Sequence, residues 1–152
     1  IDKDRDDRDA TVHGYAIASE AFQVGICRGG QFLNVMNGGR MWQHVTGHAG
    51  CNHQVLDTIT NNTYLVSSTH HQMMRPGADA EIVAVAREAK AKYSADDTWY
   101  LAEADEYPIE WFDDPEVLWY PNTRSLCFQP HPEFNGVEEC TNYFFELIER
   151  YI

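Results

Sequence analysis

No apolar run in these 152 residues is long enough to span a bilayer, and no basic segment followed by an apolar stretch marks a secretory leader. Basic residues are scarce: 11 Lys and Arg stand against 24 Asp and Glu, for a formal charge of −13. Such a surface repels nucleic acid and anionic membranes, so neither is expected as a partner. The acids are spread over residues 2–9, residues 96–116 and the last helix, as solvated surface. Cysteine is sparse. Cys27, Cys51, Cys127 and Cys140 show no CxxC spacing, which excludes a dense disulfide framework and points to a reducing, cytoplasmic compartment. Repeats and low-complexity segments are absent, and so is an initiator methionine before Ile1-Asp2-Lys3. The expectation is one domain over residues 1–152, either processed or part of a longer product, and large enough for a real core.

What is present alternates between helical and extended patterns. Asp9 is positioned to cap a helix through Tyr15 and Ile17 to Ala21. A short strand, Phe22 to Ile26, and a helix from Gln31 to Met36 follow, stopped by Asn37-Gly38-Gly39. Residues 40–54 hold His44, His48 and His53 among few aliphatics and read as a loop. Strand-like runs recur at 54–59, 63–67, 81–86, 99–102, 109–112, 117–120 and 125–129. Asn61-Asn62, Asp96-Asp97 and Asp113-Asp114-Pro115 mark turns between them. Val137 to Ile152 is amphipathic at helical spacing, with Cys140, Phe144, Leu147, Ile148 and Tyr151 on one face. The alternation indicates a layered α/β domain.

Chemistry concentrates at two places. Gly25-Ile26-Cys27-Arg28-Gly29-Gly30-Gln31 reads as a cysteine on a sharp strand-to-helix turn, with glycines permitting the tight backbone. A helix N-terminus there favours a thiolate. Far downstream, His131-Pro132-Glu133 offers a base and a carboxylate able to fix its tautomer. Histidines also raise a metal reading, for His70 with His71 and for His44 with His48 at i, i+4. No third ligand at a known spacing joins either pair, so no metal or other cofactor is assigned. Trp42, Trp99, Trp111 and Trp119 read as core or interface residues.

Taken in order, the elbow, Ser67-Ser68-Thr69-His70-His71-Gln72 and Phe128-Gln129-Pro130-His131-Pro132-Glu133 resemble the class I glutamine amidotransferase family. The middle motif is in the form common in its γ-glutamyl hydrolase, peptidase C26-like branch. The resemblance runs from about Arg8 to the C-terminus. It implies a flavodoxin-like, three-layer α/β domain in which Cys27 attacks the amide of glutamine or a γ-glutamyl amide, assisted by His131 and Glu133. The Arg28 N–H would serve the oxyanion hole, and Gly29, Gln31, Ser68, Thr69 and His70 would contact the glutamyl group. A synthetase subunit is the partner implied for an amidotransferase, whereas a hydrolase acts alone. Family members carry strands and a second oxyanion donor ahead of the elbow. Only 26 residues precede Cys27 here, so an N-terminally incomplete domain is expected. The competing expectation is an inactive, binding or structural relative; a papain-like protease fits the His-Pro-Glu pairing and the elbow poorly.

Overall fold

The computed structural model describes residues 2–45, 47–86, 92–94, 99–101 and 114–152. The acidic start is helical. α1 (Lys3–Ala18) begins where the Asp2 carboxylate accepts the Arg5 N–H at 3.1 Å. Asp2, not the expected Asp9, is therefore the cap, and Asp9 lies in mid-helix. The acids Asp4 and Asp6 in the first turn suit the positive end of the helix dipole. β1 (Gln23–Ile26) feeds directly into α2 (Arg28–Met36), which ends at Asn37 and Gly38, the glycine at φ 85°.

Residues 40–54 are largely extended rather than a loop. They form β2 (Arg40–Trp42), β3 (His44–Val45) and the start of β4 (Ala49–Asp57). The inward residue that an aliphatic would normally announce is His53, which is buried. β5 (Thr63–Thr69) returns antiparallel to β4 after a turn in which Asn61 takes φ 64°. β6 (Met73–Arg75), β7 (Glu81–Ala86), β8 (Lys92–Ser94) and β9 (Trp99–Leu101) follow. β10 (Asp114–Tyr120) takes in Asp114 and Pro115, which the sequence suggests as a separator. A proline is tolerated there because the pairing with β7 is irregular immediately after it. β11 (Ser125–Phe128) and α3 (Glu138–Tyr151) complete the chain. The expected strand at 109–112, the Asp96-Asp97 turn and Ala102 lie outside the described residues.

The main sheet has six strands in the order β1-β11-β10-β7-β4-β5, with β1 and β11 parallel and every other neighbouring pair antiparallel. Alternation in β10 and β11 sorts the two faces. Val117, Trp119, Leu126 and Phe128 join Cys140, Tyr143 and Leu147 of α3 in one core cluster. Leu118, Tyr120 and Cys127 join Leu33 of α2 and Met74 in another. Helices on both faces make the three layers, and β10, covered on both sides, is buried throughout. β2 pairs with β6, and β3, β8 and β9 form a small third sheet.

α3 is anchored at the end of β4. The fully buried Asp57 carboxylate accepts the Tyr143 hydroxyl at 2.8 Å, pairs with Arg150 at 2.8 Å, and accepts the Ile59 and Thr60 N–H groups. Burial alone would raise its pKa, but those donors hold it below the ordinary carboxylate value. Its stabilisation is thus complete above the unfolded-state pKa of about 3.9 and fades as pH falls through the lower folded value. Asp57→Ala, which strands Arg150 and Tyr143, is expected to cost about 3–5 kcal/mol in urea unfolding at pH 7. The deficit should narrow when unfolding is repeated below pH about 3.

Candidate active site

The register of β1 and β11 sets the site. Ile26 pairs with Phe128, so Cys27 and Gln129 leave adjacent parallel strands at the same sheet edge. The Cys27 N–H donates to the Phe128 carbonyl at 2.8 Å, and α2 starts at the next residue. Between strand and helix Cys27 takes φ 49° and ψ −112°, a conformation that non-glycine residues rarely occupy. The turn closes so tightly that a Cβ on Gly25 would lie 2.3 Å from the Gly29 carbonyl carbon.

Gln129 is buried directly beneath the thiol. Its Nε2 stands 3.6 Å from Cys27 Sγ, and its Oε1 accepts from Gln31 Nε2 at 3.0 Å. Gln31 Nε2 also reaches the Gln72 carbonyl at 3.3 Å, tying α2 to the chain after β5. Burial pushes the Cys27 thiol above its ordinary value, and the Glu133 and Glu116 carboxylates add to this. The Arg28 N–H and the Gln129 amide act the other way.

Two residues past Gln129, Ser67 of β5 pins His131. The Ser67 hydroxyl accepts the His131 N–H at 2.9 Å and donates to the His131 carbonyl at 3.1 Å. The His131 ring stacks on Phe134 at 4.4 Å, and its Nδ1 meets Glu133 Oε1 at 2.8 Å. Burial opposes the Glu133 charge, but the His131 imidazole and the Glu133 backbone N–H together hold its carboxyl below the usual range. Among the described residues no hydrogen bond joins His131 to Cys27.

Comparisons with known proteins bear on the fold and on the N-terminal part of the chain. The Peptidase C26 family model matches residues 1–62. A 47-residue stretch is 45% identical to the carbamoyl phosphate synthase small chain of Clostridium perfringens, covering 31% of this chain and 14% of that protein. In fold, 93% of the chain superposes on a glutamine amidotransferase of Thermotoga maritima, with TM-score 0.59 and 15% identity. The same share superposes on a GMP synthase-type protein of Thermoplasma acidophilum, 93% of the chain with TM-score 0.59 and 13% identity. The chain has the fold of these glutamine amidotransferases, and its first 62 residues match the Peptidase C26 family model. It spans 55% of the Thermotoga protein and 68% of the Thermoplasma one.

Within this fold the expected site residues are distributed unevenly. Cys27, Arg28, Gly29 and Gln31 share the elbow and the first turns of α2. The Arg28 side chain turns away to α1, paired with Asp6 and with Asp9 at 2.8 Å. Thr69 is exposed at the end of β5, whereas Ser68 is buried with its hydroxyl on the His48 carbonyl. His70 is buried too, and its Nδ1 faces the Gln72 carbonyl at 2.8 Å. Gln129 is the site residue that sequence reasoning left unassigned, although it stands inside the third motif. A cleft of about 450 Å³ lined by Arg40, Trp42, Met74, Arg75 and Ile82 includes none of these residues.

Behind the elbow lies a second constellation. His48, His53, His70 and Glu116 are all buried, with one ligand-type atom of each within 4.8 Å of all the others. His48 and His70 appear in the histidine pairs singled out from sequence, but their neighbours there, His44 and His71, are exposed and outside the group. Burial disfavours charge on His48, yet Asp114 and Glu116 outweigh it and push its pKa up to about 9.

Proposed function

We propose that this domain hydrolyses the side-chain amide of glutamine or a γ-glutamyl amide through a thioester on Cys27. One observation carries the reading: a strained cysteine at a helix N-terminus shares a sheet edge with a His131–Glu133 pair from the neighbouring parallel strand. In the proposed cycle the Cys27 thiol yields its proton to His131 as sulfur bonds to the amide carbon. The negative carbonyl oxygen is met by the Arg28 N–H, next after the nucleophile. His131 then protonates the departing nitrogen, the C–N bond breaks, and ammonia or amine leaves. Water attacks the thioester, giving its proton to His131; the C–S bond breaks to release glutamate, and His131 returns the proton to the departing Cys27 sulfur. Glu133, on Nδ1, holds the tautomer that leaves Nε2 free to act. The bonds from Gln31 to Gln129 and to Gln72 support a role for Gln31 at the glutamyl end, with Gly29, Ser68, Thr69 and His70 as the remaining proposed contacts or their supports.

A glutamine-analogue diazoketone incubated with the full-length protein should add once to Cys27, read by peptide mass spectrometry. An unlabelled Cys27 would remove the catalytic reading and favour a binding or structural domain, which the missing His131–Cys27 hydrogen bond suits. In active enzymes such bonds are often long until substrate arrives. If labelling succeeds, ammonia from glutamine set against amine from γ-glutamyl amides separates an amidotransferase from a hydrolase. The synthetase chains among the relatives make a synthetase partner the proposal for the first case.

Glu133 gives a test with two signs. Glu133→Gln removes a charge that raises the Cys27 pKa, so site-resolved alkylation of Cys27 by iodoacetamide at pH 8 should quicken. Glutamine hydrolysis by the same variant should fall by about 10²–10⁴, because His131 loses its orienting carboxylate. A change of the same sign in both assays would remove Glu133 from the proposed role.

A further inference from the structure

We infer that His48, His53, His70 and Glu116 bind one divalent transition ion of the zinc type, and that the ion is structural. The argument begins with an anomaly in the core. His48 Nδ1, His53 Nε2 and His70 Nε2 stand 3.2, 3.2 and 3.3 Å from one oxygen, Glu116 Oε1. Yet among the described residues neither Glu116 oxygen has a hydrogen-bond partner, and His70 Nε2 has none either. The nitrogens crowd the oxygen without aiming an N–H at it. A buried carboxylate held this way is costly: folding strips its water, and the nearby imidazoles meet its charge without hydrogen-bond geometry.

A cation among the four atoms resolves the anomaly. Zinc binds imidazole nitrogen and carboxylate oxygen at about 2.0–2.2 Å, and tetrahedral arms of that length place ligand atoms about 3.3–3.6 Å apart. Four of the six separations, the three to Glu116 Oε1 and the 3.2 Å between His48 Nδ1 and His53 Nε2, are close to that edge, and all six lie within 4.8 Å. Two of the three outer nitrogens are arranged to match, while His53 Nδ1 has no partner among the described residues. His48 Nε2 meets the buried Asp114 carboxylate at 2.7 Å, and His70 Nδ1 faces the Gln72 carbonyl at 2.8 Å. Carboxylates and carbonyls on the far ring nitrogen orient metal-bound histidines in this way. A divalent ion would also balance Glu116 and Asp114 together, with three neutral imidazoles in place of a charged His48. Imidazole with one carboxylate suits Zn(II) over Mg(II) or Ca(II), and four buried protein ligands describe a closed, structural site.

The ion would join the approach to β4, the end of β5 and β10. It would thereby fix the segment from His70 to Gln72, whose Gln72 carbonyl receives Gln31 beside the candidate nucleophile.

The test uses the untagged full-length protein, loaded with Zn(II) or Co(II) and desalted. Elemental analysis should return about one zinc per chain. The Co(II) form should show the intense visible bands of four-coordinate cobalt, and a chelator should lower the melting temperature. Asp114→Asn keeps every ligand and should weaken zinc binding about 10–100-fold. His53→Ala should abolish the cobalt bands, with circular dichroism checking that the variant is folded. Substoichiometric zinc, a six-coordinate cobalt spectrum, or affinity unchanged in Asp114→Asn would overturn the site. Diazoketone labelling of Cys27 is scored separately, so a labelled but metal-free protein would overturn this inference alone.

Discussion

Cys27→Ser is expected to lower glutamine hydrolysis by about 10⁴-fold or more while leaving the melting temperature within a few degrees of the parent. The size follows from the proposed chemistry. Without sulfur no thioester forms, and a serine hydroxyl at this position has only His131 to draw off a far more tightly held proton. The small effect on stability follows from the side chain's surroundings. Cys27 is half-buried, and its one recorded side-chain hydrogen bond is the long one from Gln129 Nε2, at 3.6 Å. His131→Asn should produce a loss of similar size, and the double variant should be little worse than either single one, since the two act as one unit. Steady-state ammonia release and thermal unfolding measure both halves. Activity within tenfold of the parent would show that the elbow cysteine is not the nucleophile.

The pH dependence carries its own sign. Because burial and nearby carboxylates raise the Cys27 thiol above its ordinary value, alkylation of the free protein should climb steadily from pH 7 to 9, without a plateau near neutrality. A thiolate already stabilised by a histidine ion pair would plateau early. The proton is therefore expected to leave Cys27 when substrate is bound, not before.

How far the sequence reaches differs between the two constellations. The elbow is legible because every residue that shapes it lies within seven positions, Gly25 to Gln31, and the turn is a local backbone event. His131 and Glu133 are legible for the same reason. Their place at the same sheet edge as Cys27 depends on β1 and β11 being parallel neighbours, which the motif order suggests but residue spacing does not determine. The buried cluster is a different case. His48 and His53 sit in a stretch whose lack of aliphatics resembles a loop, and Glu116 closes an acidic run that resembles surface. Only the packing of β4, β5 and β10 brings them together. Asp114 illustrates the limit: beside Pro115 it has the form of a turn, and its burial against His48 is purely tertiary. The cap of α1 is hidden for a simpler reason, since in a run of acids each one is an eligible cap.

Gly25→Ala is expected to abolish the native fold or cost at least about 3 kcal/mol, whereas Gly29→Ala, four residues on, should change stability by less than about 1 kcal/mol. Both are glycine-to-alanine changes in one motif, so composition cannot separate them; geometry does. A Cβ on Gly25 would lie 2.3 Å from both the carbon and oxygen of the Gly29 carbonyl and 2.5 Å from the Gly30 nitrogen. These are backbone atoms of the first turn of α2, and no rotamer change moves them aside. Relief requires β1 and α2 to separate, but Gly30 is itself held close: a Cβ there would lie 3.0 Å from the Gly25 oxygen and from the Phe128 nitrogen. Separation would therefore also disturb the β1–β11 pairing that delivers Gln129 and His131. At Gly29 a Cβ would meet nothing within 4 Å, and in a helix alanine is favoured over glycine by about 0.5–1 kcal/mol. Chemical denaturation of both variants decides the matter. A Gly25→Ala protein as stable as its parent would mean that the elbow does not close as tightly as the strained Cys27 backbone requires.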